Sequence, residues 1–597
     1  MRYTEFRDAI QKELRQMPEG LTWVDLRDRL GLPYDRPCPT WIRQLEREIG
    51  LSRVKGRARS LVWRLAAGRK IIAILCGLIP LLAAAEPVAR DADLRLPETD
   101  ILWKAVKDYV EVQPVPEYQH ASEAAREAFR DIKYGVRIHW GLYAIKEWKE
   151  SWTFLTATPA ERQAYQELYK TWNPTGFNAD DWMRLFKENG VQMFAFTANH
   201  LDGFSMFDTK TRIKQRVNWT APGGPKIEAC DLAYSIMETP FKRDVVRELT
   251  EAGHKYGLKI DLYFSHPQWY DADFRPYCYH PLQTPGSRDH PELYANTFTA
   301  KESKNATMSP DPTPEEEVRM LQRHRQQLTE LLTQYGKLDM VCLDMWLGKK
   351  IWPQTRETML ELRKLQPDVM FRARGIGNYG DYYTPEGFVP GKKENTSMPW
   401  FVIYPLGKGF SYRGPTDHFK GGDWIITNLV DAVAKGGNFM VGIGPDANGR
   451  FPPETVKQLR DAGAWLKING ESIFATRPYL RWHEDKNIRF TRTKDKKFVY
   501  VISLAWPGET LRSRMVKPKA GSAVRLLGYD QDLKWRMEGD ALTIELPKAL
   551  QSETGRPCRQ AYAFKVESMA WETFEAALPP EAQPAASDSK VGKEAHL

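Results

Sequence analysis

Two acidic residues and one arginine are the side chains of this 597-residue sequence best placed to do chemistry. Asp344 directly follows the apolar run MVCL, while Arg374 and Glu386 lie on a later Gly- and Tyr-rich stretch, RARGIGNYGDYYTPE. An arginine beside Asp344 would lower the pKa of that carboxyl, whereas the tyrosines and proline around Glu386 would raise the pKa of the glutamate. One ionised and one protonated carboxyl can together supply a nucleophile and a general acid.

Histidines and aromatic residues end or follow the other apolar runs. These side chains are His139, Trp140, His200, Tyr263, Trp269 and Trp346. Aromatic residues make up 12% of the chain, and their faces stack on the apolar faces of sugar rings. The histidines lack HxH or HExxH spacing and the six cysteines lack CxxC spacing, so the sequence predicts no metal site. Hydrogen bonding of these imidazoles to sugar hydroxyls is the better interpretation.

A regular order of strands and helices would bring these residues together. Apolar, β-rich runs alternate with helical stretches through the predicted catalytic domain, residues 117–478. The predicted strands are Gly135–His139, Met193–Ala198, Lys259–Ser265, Met340–Asp344, Val369–Ala373, Trp400–Tyr404 and Phe439–Ile443. This α/β alternation predicts a (β/α)8 TIM-like barrel, whose chemistry lies at the C-terminal ends of the strands. A nucleotide-binding fold is disfavoured, because no GxxxxGK[ST] occurs and no GxGxxG follows the first strand.

Two further segments follow the predicted barrel. Residues 479–570 lose the helical period and contain short strand-like runs, which predicts a C-terminal antiparallel β-sandwich. Residues 571–597 are polar and rich in Ala, Pro and Ser, which predicts a disordered tail.

Residues 1–68 resemble a small winged helix. Three short helices are predicted at Thr4–Gln16, Thr22–Leu30 and Thr40–Ile49, ahead of a basic hairpin-like stretch. Residues 1–85 carry about +7 of the total charge of +9, so the rest of the chain is nearly neutral. A DNA-linked regulatory role is therefore an alternative for this segment alone, and no nucleic-acid partner is expected for the mature enzyme.

Residues 69–85 have the pattern of a secretory signal peptide. Two basic residues precede the apolar run IIAILCGLIPLLAAA, which ends in an A-x-A-like cleavage pattern. The run is too short for a comfortable transmembrane helix, and an uncleaved signal anchor or a buried core helix are the alternatives. Residues 86–116 are then a linker. The pattern predicts an extracytoplasmic enzyme, periplasmic or secreted, without a stable membrane span unless 71–85 stays as an anchor.

A series of motifs runs in order from residue 134 to residue 478. The motifs are IHWGLY, TANHLDGF, GLKIDLYFS, the strand-end Asp344, GDYYTPE, and LVDAVAKGGNFMVGIGPDANGRFPPE with AWLKINGESIFATRP. Together they resemble the α-L-fucosidases of glycoside hydrolase family 29. The resemblance implies a (β/α)8 barrel with a C-terminal β-sandwich, a retaining mechanism without a cofactor, and terminal α-L-fucosides of glycans as substrates.

The resemblance also implies roles for individual residues. Asp344 would be the nucleophile, and Glu386 stands where several members of the family carry the acid/base. The sugar-site residues implied are His139 and His200 as fucose-binding histidines, Trp152 as an aromatic wall, and Arg374 near the nucleophile.

Three positions depart from the family's usual motifs. Leu201 replaces the second histidine of KHHDGF, which removes one expected hydrogen bond to the sugar. The usual GEWY is ESW at residues 150–152, and the usual NDRWG is RARGI at residues 372–376. An α-L-galactosidase or related L-sugar hydrolase is therefore an alternative on the same fold. A non-catalytic glycan-binding protein is the alternative from another class, and the presence of both carboxylates speaks against it.

Overall fold

The computed structural model describes residues 3–17, 20–32, 41–42, 45, 51–55, 61–65, 94–97, 100–277, 279–282, 284, 309–385 and 397–569. The chain divides into two compact units, residues 1–87 and 88–597. Predictions that fall outside the described residues include the signal-like run at 71–85, the tail at 571–597 and the role of Glu386. Within the described ranges, no helix combines the length and apolar character needed to cross a membrane.

The described elements of the first unit are two helices and three short strands. Its elements are α1 (Tyr3–Gln16), β1 (Leu21–Thr22), α2 (Trp23–Leu30), β2 (Leu51–Lys55) and β3 (Leu61–Leu65). The strands form an antiparallel sheet in the order β1-β3-β2. Thr22 and Asp25 cap the start of α2 reciprocally, and Gly31 ends this helix in the left-handed conformation. The first two predicted helices and the basic hairpin are confirmed, whereas most of the predicted helix Thr40–Ile49 lies outside the described residues.

The second unit is built on a parallel sheet of seven buried strands. These are β4 (Tyr134–Ile138), β5 (Met193–Asn199), β8 (Lys259–Ser265), β9 (Met340–Asp344), β10 (Met370–Phe371), β11 (Phe401–Pro405) and β12 (Asn438–Ile443). A separate antiparallel hairpin, β6 (Ile213–Asn218) and β7 (Lys226–Leu232), lies between β5 and β8 in the chain. The sheet order is β10-β9-β8-β5-β4-β12-β11. All seven predicted strands are present, with small shifts of their ends.

Two residues complete the ring between the edge strands β10 and β11. Tyr382 pairs in parallel with Arg372, just after β10, and Tyr383 pairs in parallel with Trp400, just before β11. The Ala373 N–H donates to the Tyr382 carbonyl at 2.9 Å, which fixes one side of this bridge. The seven strands and the two-residue bridge together close the predicted barrel, so no long strand edge is left open.

Helices cover the outside of this sheet. They are α3 (Ile101–Val106), α4 (Glu123–Arg130), α5 (Thr153–Thr156), α6 (Pro159–Gln166), α7 (Ala179–Glu188), α8 (Val245–Lys255), α9 (Pro314–Gln334), α10 (Trp352–Leu365), α11 (Gly422–Ala434) and α12 (Pro453–Asn469). Side-chain caps at Asn178, Asp244 and Thr313 start α7, α8 and α9. Because helices follow most of the strands and pack on their outer faces, the strand ends at the barrel mouth are free to carry function.

The C-terminal part is a β-sandwich. Its strands are β13 (Thr476–Glu484), β14 (Ile488–Thr493), β15 (Phe498–Ser503), β16 (Thr510–Ser513), β17 (Val524–Leu526), β18 (Asp532–Leu533), β19 (Trp535–Glu538), β20 (Ala541–Glu545) and β21 (Tyr562–Glu567). They form antiparallel sheets in the orders β13-β14-β15-β21-β17-β18 and β16-β20-β19. Phe490 and Phe564 from the larger sheet share one apolar core with Leu511 and Ile544 from the smaller sheet. The predicted sandwich is confirmed.

Candidate active site

Asp344 ends β9 at the mouth of the barrel and accepts three hydrogen bonds. Tyr263 Oη donates to Oδ2 at 2.6 Å, Arg374 Nη1 donates to Oδ1 at 2.7 Å, and Arg372 Nη1 donates to Oδ1 at 3.2 Å. The pairing of β8 with β9 positions the Tyr263 phenol beside Asp344. Ser265 of β8 lies opposite Asp344, and Tyr263, two residues earlier, is on the same face of the strand as Ser265. The structure therefore brings together Asp344 and Arg374, the pair that the sequence suggested.

The charges around Asp344 keep its carboxyl ionised. Burial alone would raise the pKa of this group, but Arg374 and Arg372, together with the Tyr263 hydrogen bond, hold the pKa well below its usual range. An ionised carboxylate at the C-terminal end of a barrel strand can act as a nucleophile, and it has no proton to donate.

Two neutral imidazoles lie beside Tyr263. His200 stacks on the Tyr263 ring with centroids 5.3 Å apart, and the His139 ring lies 6.0 Å from that of His200. Burial lowers the pKa of His200 to about 3 and holds the pKa of His139 well below its usual value. His139 Nδ1 has no hydrogen-bond partner in the part of the chain that the structure describes. A neutral imidazole has one donor and one acceptor nitrogen, which suit hydrogen bonds to sugar hydroxyls.

Ser151 orients one of these imidazoles from behind. Its Oγ lies 2.8 Å from His200 Nδ1 and accepts the Asp202 N–H at 3.2 Å. Tyr165 donates to Asp202 Oδ2 at 2.5 Å, and burial raises the pKa of Asp202 to about 6. Sequence reasoning noted Ser151 only as a departure from a family motif and gave it no role. Its contact with His200 spans 49 residues, which no local pattern could indicate.

An aromatic row lies near the site. Trp152 contacts Trp269 edge-to-face with centroids 5.9 Å apart and contacts Tyr279 at 5.6 Å, and Tyr279 contacts Trp346 at 6.0 Å. Trp269 is fully buried, whereas Trp152 and Trp346 are half-buried. Trp152 and Trp346 therefore offer accessible aromatic surface. Trp269, predicted to bind substrate, instead supports Trp152 because no part of its ring is exposed.

Trp140 was predicted to bind substrate, but the structure places it in the core and not at the site. It packs against Trp172, Phe177 and Trp182 with ring centroids between 5.2 and 5.5 Å away, and it is 1% exposed. Its Nε1 donates to the Asp446 carbonyl at 2.9 Å, so its polar atom is already bonded. Successive side chains of a strand point to opposite faces, and Trp140 follows His139 directly. The prediction of a sugar contact is therefore corrected to a role in the core between sheet and helices.

Arg372 is a site residue that sequence reasoning left without a role. It lies two positions before Arg374, and both guanidinium groups donate to the same Asp344 oxygen. The spacing of two was a usable signal, because alternate residues of an extended chain share a face.

Two further buried carboxyls differ in their suitability for acid chemistry. Asp381 bonds Arg363 Nη2 at 2.6 Å and His120 Nδ1 at 3.2 Å; burial would raise its pKa, but these partners lower it to about 2. Glu150 accepts the Ser411 N–H at 2.8 Å, and burial raises the pKa of Glu150. Asp381 is thus an ion-paired structural group, and Glu150 is a buried acid close to the site residues Ser151 and Trp152.

In the described ranges, no group of three His, Cys, Asp or Glu side chains is arranged to hold a metal ion. The groups that are present are an ionised carboxylate, neutral imidazoles and half-buried aromatic surface at the mouth of a parallel barrel. Displacement at a sugar's anomeric carbon is the chemistry that suits this set. The fold and the site thus define a barrel glycoside hydrolase.

Comparison with known proteins identifies the family. Residues 107–471 match the family described as Alpha-L-fucosidase, and residues 483–567 match its C-terminal domain, Alpha-L-fucosidase C-terminal domain. Since the first match alone covers more than half of the chain, the protein belongs to the α-L-fucosidase family of glycoside hydrolases. The resemblance inferred from the sequence motifs is confirmed.

Individual relatives are distant but span most of the chain. The plasma α-L-fucosidase of Homo sapiens is 24% identical over 468 residues, which cover 74% of this chain and 89% of that protein. The tissue α-L-fucosidase of Macaca fascicularis is 26% identical over 541 residues, covering 85% and 99%. The structure of an α-L-fucosidase of glycoside hydrolase family 29 from Bacteroides thetaiotaomicron has a TM-score of 0.59 at 23% identity and covers 80% of this chain and 99% of that one. Another structure of an α-L-fucosidase of family 29 from Bacteroides thetaiotaomicron, a covalent intermediate trapped with 2-fluoro-fucosyl fluoride, has a TM-score of 0.58 at 23% identity and covers 77% of this chain and 99% of that one.

Proposed function

We propose that this protein is a retaining exo-α-L-fucosidase that releases terminal α-L-fucose from glycans through a covalent glycosyl-enzyme intermediate. The observation that carries the proposal is the Asp344 carboxylate, held ionised by Arg374 and Arg372 and aligned by Tyr263. Two further findings support it: the matched relatives are named α-L-fucosidases, and the Bacteroides structure contains a trapped covalent intermediate.

The first chemical step forms the intermediate. An Asp344 carboxylate oxygen attacks the anomeric carbon and forms an ester bond, while the bond from that carbon to the glycosidic oxygen breaks. Glu386, the acid/base assigned from the TPE motif, gives its proton to the departing oxygen. The aglycone leaves as a neutral alcohol, and Glu386 is left as a carboxylate.

The second step returns the enzyme to its starting state. Glu386 removes a proton from a water molecule, whose oxygen attacks the anomeric carbon and displaces Asp344. The guanidinium groups of Arg374 and Arg372 stabilise Asp344 as a leaving group, because they favour its ionised form. Two displacements at one carbon restore the original configuration, so the first product is α-L-fucose.

Substrate binding is assigned to the neutral groups around the nucleophile. His139 and His200 are neutral imidazoles whose ring nitrogens suit hydrogen bonds to hydroxyls, and Ser151 fixes the orientation of the His200 ring. The half-buried rings of Trp152 and Trp346 supply apolar surface on which a sugar face can stack. These contacts orient the anomeric carbon toward Asp344.

Comparison of an aryl α-L-fucoside with the matching aryl α-L-galactoside tests the substrate assignment. Leu201 motivates the comparison, because it puts an apolar side chain where the family's usual motif has a histidine, and here it is fully buried. A higher kcat/KM for the fucoside supports the proposal, and a higher value for the galactoside establishes the alternative L-sugar hydrolase. Turnover of neither, with binding of L-fucose retained, would leave the non-catalytic glycan-binding alternative.

Trapping identifies the nucleophile independently. A 2-fluoro-fucosyl fluoride should label the protein at the peptide containing Asp344, and Asp344→Asn should lose at least about a thousandfold in kcat, because an amide is a poor nucleophile. Asp180→Asn, at a half-buried position in the first turn of α7, is the matched control and should keep the wild-type rate. A label on another carboxyl would overturn the assignment.

We also propose that the enzyme is exported. The support is the basic and apolar pattern of residues 69–85 and the near-neutral charge of the chain that follows it. N-terminal sequencing of the protein recovered from its native cell tests this. A start near residue 86 supports cleavage, a start at Met1 in the membrane fraction indicates an anchor, and a soluble cytosolic protein starting at Met1 contradicts both.

A further inference from the structure

The side chains that fill the barrel lie in layers, because alternate residues of each strand face inward. The bottom layer is apolar and includes Met193, Met340, Met370 and Met440. The layer above it contains Arg137, Asp261, Cys342 and Arg372. Each of these residues lies two positions before a residue of the site, and Arg372 also directly follows β10. Barrel interiors of this type are dominated by branched apolar side chains. Two arginines and an aspartate under the active site therefore require an explanation.

Hydrogen bonds connect this charged layer to the nucleophile. Arg137 Nη2 donates to Cys342 Sγ at 2.9 Å, and Arg372 Nη1 approaches the same sulfur at 3.5 Å. The same Nη1 of Arg372 donates to Asp344 Oδ1 at 3.2 Å. A change in the charge around Arg372 therefore acts on a group that is hydrogen-bonded directly to Asp344.

Asp261 is the acidic member of the layer. It is fully buried, and no side chain in the described part of the chain hydrogen-bonds its carboxylate oxygens, although the Cys342 backbone N–H lowers its pKa. The titratable and charged groups that act on it are Arg137, Arg372, Asp339, Cys342 and Tyr382. Burial raises the pKa of Asp261 to about 7, against the opposing effect of the two arginines. An acid that no side chain bonds is poorly explained by packing in this position, since an apolar side chain of similar volume would fit the layer at less cost.

We propose that Asp261 is a positioning residue for Asp344. Its carboxylate offsets the positive charge of Arg137 and Arg372, and so limits how strongly Arg372 stabilises the nucleophile's negative charge. With Asp261 ionised, Asp344 is held in place yet stays reactive; with Asp261 neutral, the guanidinium groups hold Asp344 too strongly for efficient attack. The role rests on the proposed glycosidase function, in which Asp344 is the nucleophile.

The test compares wild type with Asp261→Asn in the full-length protein, using an aryl α-L-fucoside. At about pH 8 the variant should lose about three- to tenfold in kcat, the size expected for a coupled residue without substrate contact, while KM stays close to wild type. At about pH 5, where wild-type Asp261 is protonated, the two proteins should differ much less. The wild-type rate should therefore contain a rise through neutral pH that the variant lacks.

Asp339→Asn is the matched control. This aspartate lies one strand away, its carboxylate is bonded to Lys259 Nζ at 3.0 Å, and it makes no bond to Arg372 in the described contacts. Its substitution should keep the rise in rate through neutral pH and move it only slightly to lower pH, because the Asp339 charge raises the pKa of Asp261. If Asp261→Asn folds poorly, Arg137→Gln combined with Asp261→Asn keeps the total charge of the layer and should recover most of the rate at about pH 8.

The kinetic results have the following consequences for the role of Asp261. A wild-type kcat and pH profile in Asp261→Asn would overturn the role of Asp261, and so would a double variant with no recovery. An identical profile change in Asp339→Asn would also overturn it, because the effect would then not be specific to the layer. Lack of any wild-type turnover would overturn the proposed function together with this role, whereas normal wild-type turnover with an unchanged variant profile would overturn only the role of Asp261.

Discussion

The Tyr263 hydroxyl lies 2.6 Å from Asp344 Oδ2, so a phenol holds one oxygen of the nucleophile while arginines hold the other. Oδ1 accepts from both Arg374 and Arg372, whereas Oδ2 accepts from Tyr263. A carboxylate oxygen has two lone pairs, and Oδ2 therefore keeps one for bond formation. We infer that Oδ2 is the attacking oxygen and that Tyr263 sets its direction.

Tyr263→Phe tests this relationship. The variant should lower kcat about tenfold with little change in KM, because the ring is kept and only the aligning hydrogen bond is removed. Steady-state kinetics with an aryl α-L-fucoside provide the measurement. Tyr256→Phe, whose hydroxyl bonds Asp180 on the helical surface, is the control and should be fully active. An unchanged kcat in Tyr263→Phe would show that the arginines alone align the carboxylate.

Glu386→Ala tests the assigned acid/base. Loss of the proton donor should reduce turnover of substrates with poor leaving groups far more than turnover of activated aryl fucosides, because only the former depend on protonation. Azide should restore rate with the activated substrate, since it attacks the intermediate without needing a base. Equal losses for both substrate types, with no azide effect, would point to another carboxyl.

The structure distinguishes Asp381 from Glu150 as an alternative acid to Glu386. Asp381 is paired with Arg363 and kept ionised, so Asp381→Asn is expected to lower stability and not to change leaving-group dependence. Glu150 is buried and has a raised pKa, which suits a proton donor. Glu150→Gln is thus the variant to compare if Glu386→Ala behaves unexpectedly.

The strands and the place of Asp344 at a strand end were predictable because they depend on local pattern. Each barrel strand is a short apolar run, and a single carboxylate after such a run marks the functional end of the strand, as at Asp344. The error at Trp140 has the opposite cause. A run that is apolar on both faces does not indicate which of its last residues faces inward, so His139 and Trp140 could not be told apart. In a helix-covered parallel sheet both faces are buried, and the usual alternation of polar and apolar residues is lost.

The supporting contacts of the site were beyond sequence reasoning. Arg137 meets Cys342 across 205 residues, and Ser151 meets His200 across 49. Such contacts depend on how strands are ordered around the barrel, which periodicity does not specify. The contact of Arg372 with Asp344 could have been predicted, because the spacing of two between Arg372 and Arg374 places both side chains on the same face.

Asp202 should make the fold's stability depend on pH. Its pKa in the folded protein is raised to about 6 by burial, so it favours folding most below its unfolded pKa and loses that contribution as the pH rises through about 6. Relative to Asp202→Asn, the wild type should lose about 2–3 kcal/mol of unfolding free energy between pH 4 and pH 7. Urea unfolding at several pH values measures the difference. A constant difference in unfolding free energy between the two proteins over this pH range would show that the pKa of Asp202 is not raised in the folded protein.

Arg374→Gln should make the activity depend on the ionisation of Asp344. In the wild type, Arg374 opposes burial more strongly than any other group and keeps the pKa of Asp344 well below its usual range, so the nucleophile stays ionised at any practical pH. Without that charge, only Arg372 and Tyr263 oppose burial, so the pKa of Asp344 should rise, and protonated Asp344 cannot attack. The acidic side of the kcat/KM profile should therefore move to higher pH. Arg374→Lys keeps the charge but loses the planar geometry, so it should lower kcat with a smaller shift. If neither variant moves the profile, Arg372 and Tyr263 suffice to keep Asp344 ionised, and Arg374 acts on the substrate instead.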